Sequence, residues 1–297
     1  MNQATLFESL LEELSGKLEL LPDKPEETPE STLRALWLLA SGKPVSVESA
    51  KAVELPELDR QQMENLRQHI RQRLDGTPLA HISGRQAFMG MELLAGPEAL
   101  IPRKETELLA ASAIDILLQQ TGDALKVIDV CTGAGNVALA IAHAVQKARV
   151  FASDLSAEAV QLARRNTALH DLSERVSLYT GDLLDPFRHL DIEGKVDMIT
   201  CNPPYISSAK VPAMASEISE HEPEMAFNGG VFGINLMRKL IAEAPDFIRG
   251  SGHLVFEVGL GQGPAMEKQI SKLPAYESVQ TIADADGNAR VVVARVC

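Results

Sequence analysis

The stretch Val127-Ile128-Asp129-Val130-Cys131-Thr132-Gly133-Ala134-Gly135 decides the fold. Its first five residues read as a short apolar strand, and the glycine turn after them feeds a helix predicted over 136–145. Strand, glycine turn and helix in that order form the signature of a nucleotide site. The next strand, 149–153, ends in Asp154, which lies 154 − 135 = 19 residues past the turn. At about that offset an acid meets a ribose hydroxyl pair in doubly wound folds. The turn reads Gly-Ala-Gly-Asn, without the third glycine of a pyrophosphate site and without the Lys-Ser/Thr of a P-loop, so a nucleoside fits it better than a dinucleotide.

Outward from this core, residues 126–297 alternate strand and helix. A helix over 156–169 and a strand over 175–179 lead to Gly181-Asp182-Leu183, a second acid at a strand's carboxyl end. A fourth such strand, the apolar run 196–201, delivers Asn202-Pro203-Pro204-Tyr205. In open parallel sheets ligands bind along the edge formed by the strands' carboxyl ends, so Gly133, Gly135, Asp154, Asp182 and Asn202 are expected to converge on one crevice. Gly259, Gly261 and Gly263, after a strand over 252–258, form a rival glycine run. It is read as a strand-to-helix turn, since the 34 residues beyond it suffice only for a helix and two strands.

Asn202-Pro203-Pro204-Tyr205 carries the chemistry. Two prolines hold φ near −65° and remove two backbone donors, so the corner presents acceptors and a ring face. That suits a planar nitrogen bearing hydrogens: Asn202 Oδ1 and the Pro203 carbonyl accept its N–H bonds while Tyr205 packs on the attached π system. Such a nitrogen is a poor nucleophile, because its lone pair is delocalised, and it needs positioning against a strong electrophile. No general base is expected, His221 being read as a surface histidine within the acid-rich segment that carries Glu217, Glu220, Glu222 and Glu224. That long segment, 206–228, reads either as a lid or recognition segment or as a solvated acidic loop.

The first part of the chain differs in kind. Leucines and a phenylalanine at 6, 7, 10, 11, 14 and 18 predict a one-sided helix over 5–21. An acid- and proline-rich loop over 23–29 precedes a short helix, 31–40, holding the single tryptophan, Trp37. Asp59 is the expected N-cap of a helix ending at Leu74, with Arg67, Arg71 and Arg73 on a solvated face. Phe88, Gly90, Met91 and Leu93 read as a hairpin. The expected division is a helical substrate-recognition domain over 1–75, a hairpin linker over 76–103 and an α/β domain over 104–297. The acids Glu105 and Glu107 read equally as caps of the next helix or as ligand-facing groups.

Of 297 residues, 45% are hydrophobic and 23% charged, and 28 Lys+Arg against 41 Asp+Glu give a formal charge of −13. That charge opposes phosphate backbones and anionic membranes. Cys131, Cys201 and Cys297 are too scattered for zinc or a redox pair, so no metal is expected. The start of the chain lacks a basic, then apolar, leader and no span approaches ~20 apolar residues, so a cytoplasmic protein is expected.

Taken together, Ile101-Pro102-Arg103, Cys131-Thr132-Gly133-Ala134-Gly135, Asp154, Asn202-Pro203-Pro204-Tyr205, Glu222-Pro223 and Gly229-Gly230 resemble the protein-glutamine N5-methyltransferases, over about residues 76–297. The resemblance implies a Rossmann-like domain using S-adenosylmethionine. It implies methylation of a glutamine in a protein partner, either the Gly-Gly-Gln loop of a peptide release factor or ribosomal protein L3. It places the cofactor on Cys131, Thr132, Gly133, Ala134, Gly135, Asp154, Asp182, Leu183 and Asn202, and the substrate amide on Asn202, Pro203, Pro204 and Tyr205. Two departures stand out. Cys131 occupies a place where the release-factor branch usually has glycine and looks more like the ribosomal-protein branch, and Val231-Phe232-Gly233 lacks the acid common before Gly233. Asn-Pro-Pro-Tyr also occurs in DNA and RNA adenine N6-methyltransferases, but those want a basic, aromatic-bearing groove, against −13 charge and 4% aromatics here. A cofactor-binding scaffold or an enzyme of small-molecule amides is the third class. The oligomeric state is not legible.

Overall fold

The computed structural model describes residues 3–209, 211–230 and 234–297. The departure at 231–233 lies outside the described residues. The chain forms two compact units: Met1–Pro97, Ile101–Lys104 and Ala215–Glu222 in the first, and Glu98–Leu100, Glu105–Met214 and Pro223–Cys297 in the second.

The first unit holds α1 (Gln3–Lys17), α2 (Pro29–Ala40), α3 (Val47–Ala50), α4 (Arg60–Leu74) and α5 (Leu79–Ser83), with a hairpin of β1 (Arg85–Phe88) and β2 (Met91–Leu94). Capping sets two starts. Thr28 Oγ1 accepts from Ser31 N at 3.1 Å and Ser31 Oγ accepts from Thr28 N at 2.8 Å. With Pro29 preset for the first helical turn, α2 therefore begins inside the stretch expected to be loop. Asp59 and Gln62 form the same reciprocal pair at the start of α4. Leu14, Leu33, Leu36, Trp37, Leu66 and Ile70 make the core between them. Met89 (φ 50°) and Gly90 (φ 74°) both lie in the left-handed region, the two-residue turn that matches strand twist. The hairpin was expected to be a linker, but it groups with the helices. Phe88 and Leu93 are buried, and Glu92 accepts from the Ser46 and Ser49 hydroxyls at 2.7 Å each.

In the second unit seven strands form one sheet in the order β5-β4-β3-β6-β7-β9-β8. They are β3 (Leu125–Val130), β4 (Ala148–Asp154), β5 (Val176–Thr180), β6 (Val196–Cys201), β7 (Ile248–Glu257), β8 (Tyr276–Ala283) and β9 (Ala289–Val296). The first five in that order are parallel, and β9 runs antiparallel to both its neighbours. Every residue of β6 is buried, so the sheet is covered on both faces. Helices α6 (Glu107–Leu118), α7 (Asn136–Ala144), α8 (Ala157–Leu169), α10 (Asn235–Phe247) and α11 (Gly263–Ile270) belong to this unit. Ile128, Ile199, Leu254 and Ala294 stand in register across four strands and share a core with Met237, Leu240 and Phe247 of α10.

The single turn α9 (Ser216–Ser219) lies in the segment that groups with the first unit. Here the structure corrects two expectations. Glu217 accepts from Arg73 at 3.0 Å and pairs with Lys24, and Arg73 also donates to Glu27 at 3.1 Å. Arg73 is only 3% exposed, so it is not on a solvated face. Glu222 accepts from Ile101 N at 3.0 Å and from Arg103 Nη2 at 2.6 Å. Part of the acidic segment is thus buried and neutralised rather than solvated, because each carboxylate has a cation to meet it.

Candidate active site

From β3 the chain runs outward to β4 and β5, then returns to lay β6 on the other side of β3. The topological switch therefore falls between β3 and β6, where open α/β sheets hold their ligands. Registers align the strand ends: Val130 lies beside Ser153 and beside Cys201, and Asp154 beside Thr180. Asp182, Asp154, the 131–135 turn and Asn202 thus follow one another along a single edge, spanning roughly 15 Å at the ~4.8 Å spacing of neighbouring strands.

The turn is braced from below. Asp129, fully buried, accepts from Thr132 Oγ1 at 2.6 Å and Thr200 Oγ1 at 2.7 Å. Burial raises its pKa to about 6, against the pull of the two hydroxyls. Cys131 takes φ 57°, a conformation that favours glycine, so the backbone keeps the shape that a glycine would give it. Gly135 has φ 84°, and a Cβ there would stand 3.1 Å from Ala163 Cβ; α7 starts directly after it. Asp154 accepts from Gly133 N at 2.8 Å through Oδ2 and from Ser156 N at 2.9 Å through Oδ1. Burial raises its pKa while these N–H groups oppose the rise. The Leu155 N–H bears on the same carboxylate, and since a carboxylate offers about four acceptor positions, capacity for a hydroxyl donor remains.

Asp182 is paired, its Oδ2 accepting from Lys239 of α10. The Leu183 side chain lies in the hydrophobic core, and its backbone takes φ 46°. Its carbonyl accepts from Ser153 Oγ at 2.8 Å.

Asn202 Nδ2 donates to Thr106 Oγ1 at 3.1 Å, which leaves Oδ1 unclaimed among the described residues. The Pro203 carbonyl likewise accepts no backbone N–H among them. Tyr205 is fixed by its hydroxyl, 2.9 Å from Glu257 Oε1 and 3.0 Å from Glu105 Oε1. Arg290 completes the cluster, with Nη2 2.9 Å from Glu105, 3.6 Å from Glu257 and 3.3 Å from the Tyr205 hydroxyl. Its guanidinium carbon stands 5.7 Å from the Tyr205 ring centre. Burial, then the Glu105 charge, pushes Glu257 up to about 7. The same burial and both carboxylates push Tyr205 well above its ordinary value. Gly259 approaches the Tyr205 ring so closely that a Cβ would meet Cδ2 at 2.9 Å. Gln262 Nε2 donates to the Tyr205 carbonyl at 3.1 Å.

Sequence reasoning missed Thr106, Glu257, Arg290 and Gln262. The signal for Glu257 was an acid closing an otherwise apolar strand; for Arg290 there was none. Glu105, read equally as cap or ligand-facing, reaches Tyr205 and Arg290. The glycine run at 259–263 is the expected strand-to-helix turn, and its first glycine also shapes the floor beneath Tyr205. His221 lies in the first unit, on the segment that carries Glu217 and Glu222.

Residues 111–244 match the family model of the methyltransferase small domain. Two solved structures share the fold. A methyltransferase from Pyrococcus furiosus is 20% identical with a TM-score of 0.50, covering 71% of this chain and 90% of that one. The hMettl16 catalytic domain, in complex with MAT2A 3'UTR hairpin 6, is 15% identical with a TM-score of 0.54, covering 81% and 83%. The fold and the match define a Rossmann-like methyltransferase of the class that uses S-adenosylmethionine. Release factor glutamine methyltransferase from Moorella thermoacetica is 34% identical over 76% of this chain and 78% of its own. Those of Thermodesulfovibrio yellowstonii (33%; 81% and 84%) and Bradyrhizobium diazoefficiens (31%; 91% and 89%) cover more. The chain belongs to the release factor glutamine methyltransferase family.

Proposed function

We propose that this protein transfers a methyl group from S-adenosylmethionine to the side-chain amide nitrogen of a glutamine in a peptide chain release factor, in the cytoplasm. The observation that carries the chemistry is Asn202 held by Thr106 through its N–H group, with Oδ1 and the Pro203 carbonyl left as paired acceptors. The cradle of 131–135 and the remaining acceptor capacity of Asp154 fit the nucleoside part of the donor, with Asp182 and the Leu183 backbone further along the same edge. S-adenosylmethionine supplies an electrophilic methyl group on a sulfonium.

The chain supplies position. An amide nitrogen has no useful basicity, so Asn202 Oδ1 and the Pro203 carbonyl hold its two hydrogens and turn the lone pair toward the methyl donor. As positive charge grows on nitrogen both bonds strengthen, which favours the transition state over the bound substrate. One N–H proton leaves after the methyl has arrived. Tyr205, its ring supported by Gly259 and its hydroxyl by two carboxylates, packs on the substrate amide. The helical unit reads the protein partner, because the second unit already carries every motif assigned to donor and amide.

Incubation with release factor, ribosomal protein L3 and a DNA duplex, followed by intact-mass and fragment analysis, tests the reading. The expected result is one methyl on the glutamine of the release factor's Gly-Gly-Gln loop. Methyl on the other two, and none on the release factor, rules it out.

A further inference from the structure

The Asn202 amide can present either end to a substrate, since its oxygen and nitrogen differ little in shape, and only the group behind it decides which. That group is Thr106 Oγ1, 3.1 Å from Nδ2. Thr106 is the N-cap of α6, where a threonine hydroxyl ordinarily accepts from a backbone N–H of the first turn. Here the hydroxyl makes no capping bond. It is buried at 1% exposure, and its own hydrogen needs an acceptor. The buried Oε2 of Glu257 is an open one. Glu257 Oε1 is engaged by Tyr205, its Oε2 is buried with no hydrogen bond among the described residues, and the Thr106 hydroxyl acts on the carboxyl to favour its charged form.

We infer that Glu257 and Thr106 are positioning residues that act through Asn202. The carboxylate draws the Thr106 hydrogen to itself, Oγ1 is left as an acceptor, and Asn202 is locked with Nδ2 inward and Oδ1 toward the substrate. The chain of donors has a direction, and the charge on Glu257 sets it. A protonated Glu257 donates to Thr106 instead; the Thr106 hydrogen then turns to Asn202, and the amide flips. The other groups facing Glu257 are Glu105 from the turn before α6, Tyr205 from the loop after β6 and Arg290 from β9. Glu105 favours the proton on Glu257 and Arg290 opposes it. The inference rests on the proposed role of Asn202 Oδ1 as acceptor of the substrate amide.

The test uses the full chain labelled with nitrogen-15. The side-chain NH2 resonances of Asn202, identified by their loss in Asn202→Ala, are expected to titrate with a midpoint near pH 7 and to stop doing so in Glu257→Gln. Kinetics give the second arm. Thr106→Val should lose roughly 10²-fold in kcat, the scale of a misplaced reacting group, with KM for S-adenosylmethionine kept. Thr106→Ser should retain most of the turnover. The native kcat should rise with pH through the same midpoint, and Glu257→Gln should flatten that rise. Asn202 resonances that ignore pH in the native chain overturn the inference, as does Thr106→Val turning over within about twofold of the native chain. Because the resonance titration needs no turnover, an inactive native chain with a normal titration strikes down the methylation reading alone. If Glu257→Gln does not fold, the native titration and the Thr106 pair decide.

Discussion

At residue scale the proposed function divides the labour between two side chains. On that proposal Asp154 serves the donor: losing a charged acceptor of hydroxyl hydrogens costs about 1.5–3 kcal/mol. Titration calorimetry of Asp154→Ala is expected to show weaker S-adenosylmethionine binding by that amount. Part of the loss would reflect the turn itself, since Gly133 N and Ser156 N lose their acceptor too. On the same proposal Asn202 serves the acceptor amide. Asn202→Ala should lower kcat by ~10²–10³-fold, as removal of one preorganised group does, and leave donor affinity nearly unchanged in the same calorimeter. Asn202→Asp separates hydrogen-bond acceptance from amide shape. It keeps an acceptor toward substrate but sets an oxygen against Thr106 Oγ1, so it should retain only part of the turnover.

At the scale of elements, the parallel strands and their terminal motifs were legible in the sequence because both obey local rules. Buried strands read as apolar runs, and glycines, acids and Asn-Pro-Pro-Tyr punctuate their ends. What was not legible depends on partners distant in the chain. The Glu257, Glu105 and Arg290 cluster joins residues up to 185 positions apart, as 290 − 105 gives. Arg73 looked solvated because helical periodicity cannot see a carboxylate 144 residues later in sequence. The helix Asn235–Phe247 and the short helices Val47–Ala50 and Leu79–Ser83 went unread; the last two are too short for a period to register. The segment with Glu217 gives the prediction at this scale. Glu217→Ala strands Lys24 and leaves Arg73 with Glu27 alone, both inside the first unit. Breaking a buried ion pair from one side costs about 3–5 kcal/mol. Urea unfolding should give an unfolding free energy lower by that amount, whereas exposed Glu220→Ala should stay within about 0.5 kcal/mol of the native chain.

At the scale of the whole molecule the buried carboxyls make stability depend on pH in an unusual sense. The folded pKa of Glu257 is raised from 4.5 to about 7, so the folded state keeps a proton that the unfolded state releases. Stability from this group is therefore full below about pH 4.5 and is lost as pH rises toward 7, by about 3 kcal/mol at ~1.4 kcal/mol per pH unit. Asp129, raised to about 6, acts in the same direction. Melting curves at pH 5 and pH 8 should show the native chain losing stability across the interval, and Glu257→Gln losing less. The ionised form that positions Asn202 is thus the one that folding disfavours. The burial of Glu217 has a different reach. A ribosome makes Lys24, Glu27 and Arg73 early, yet the carboxylate that balances them comes 217 − 73 = 144 residues after the last of the three. At ~5–20 residues per second that is a delay of about 7–30 s. For that time the nascent helical unit carries two cations and one acid destined for its interior. Vectorial synthesis therefore cannot finish this unit first; its completion waits until much of the second unit has left the tunnel.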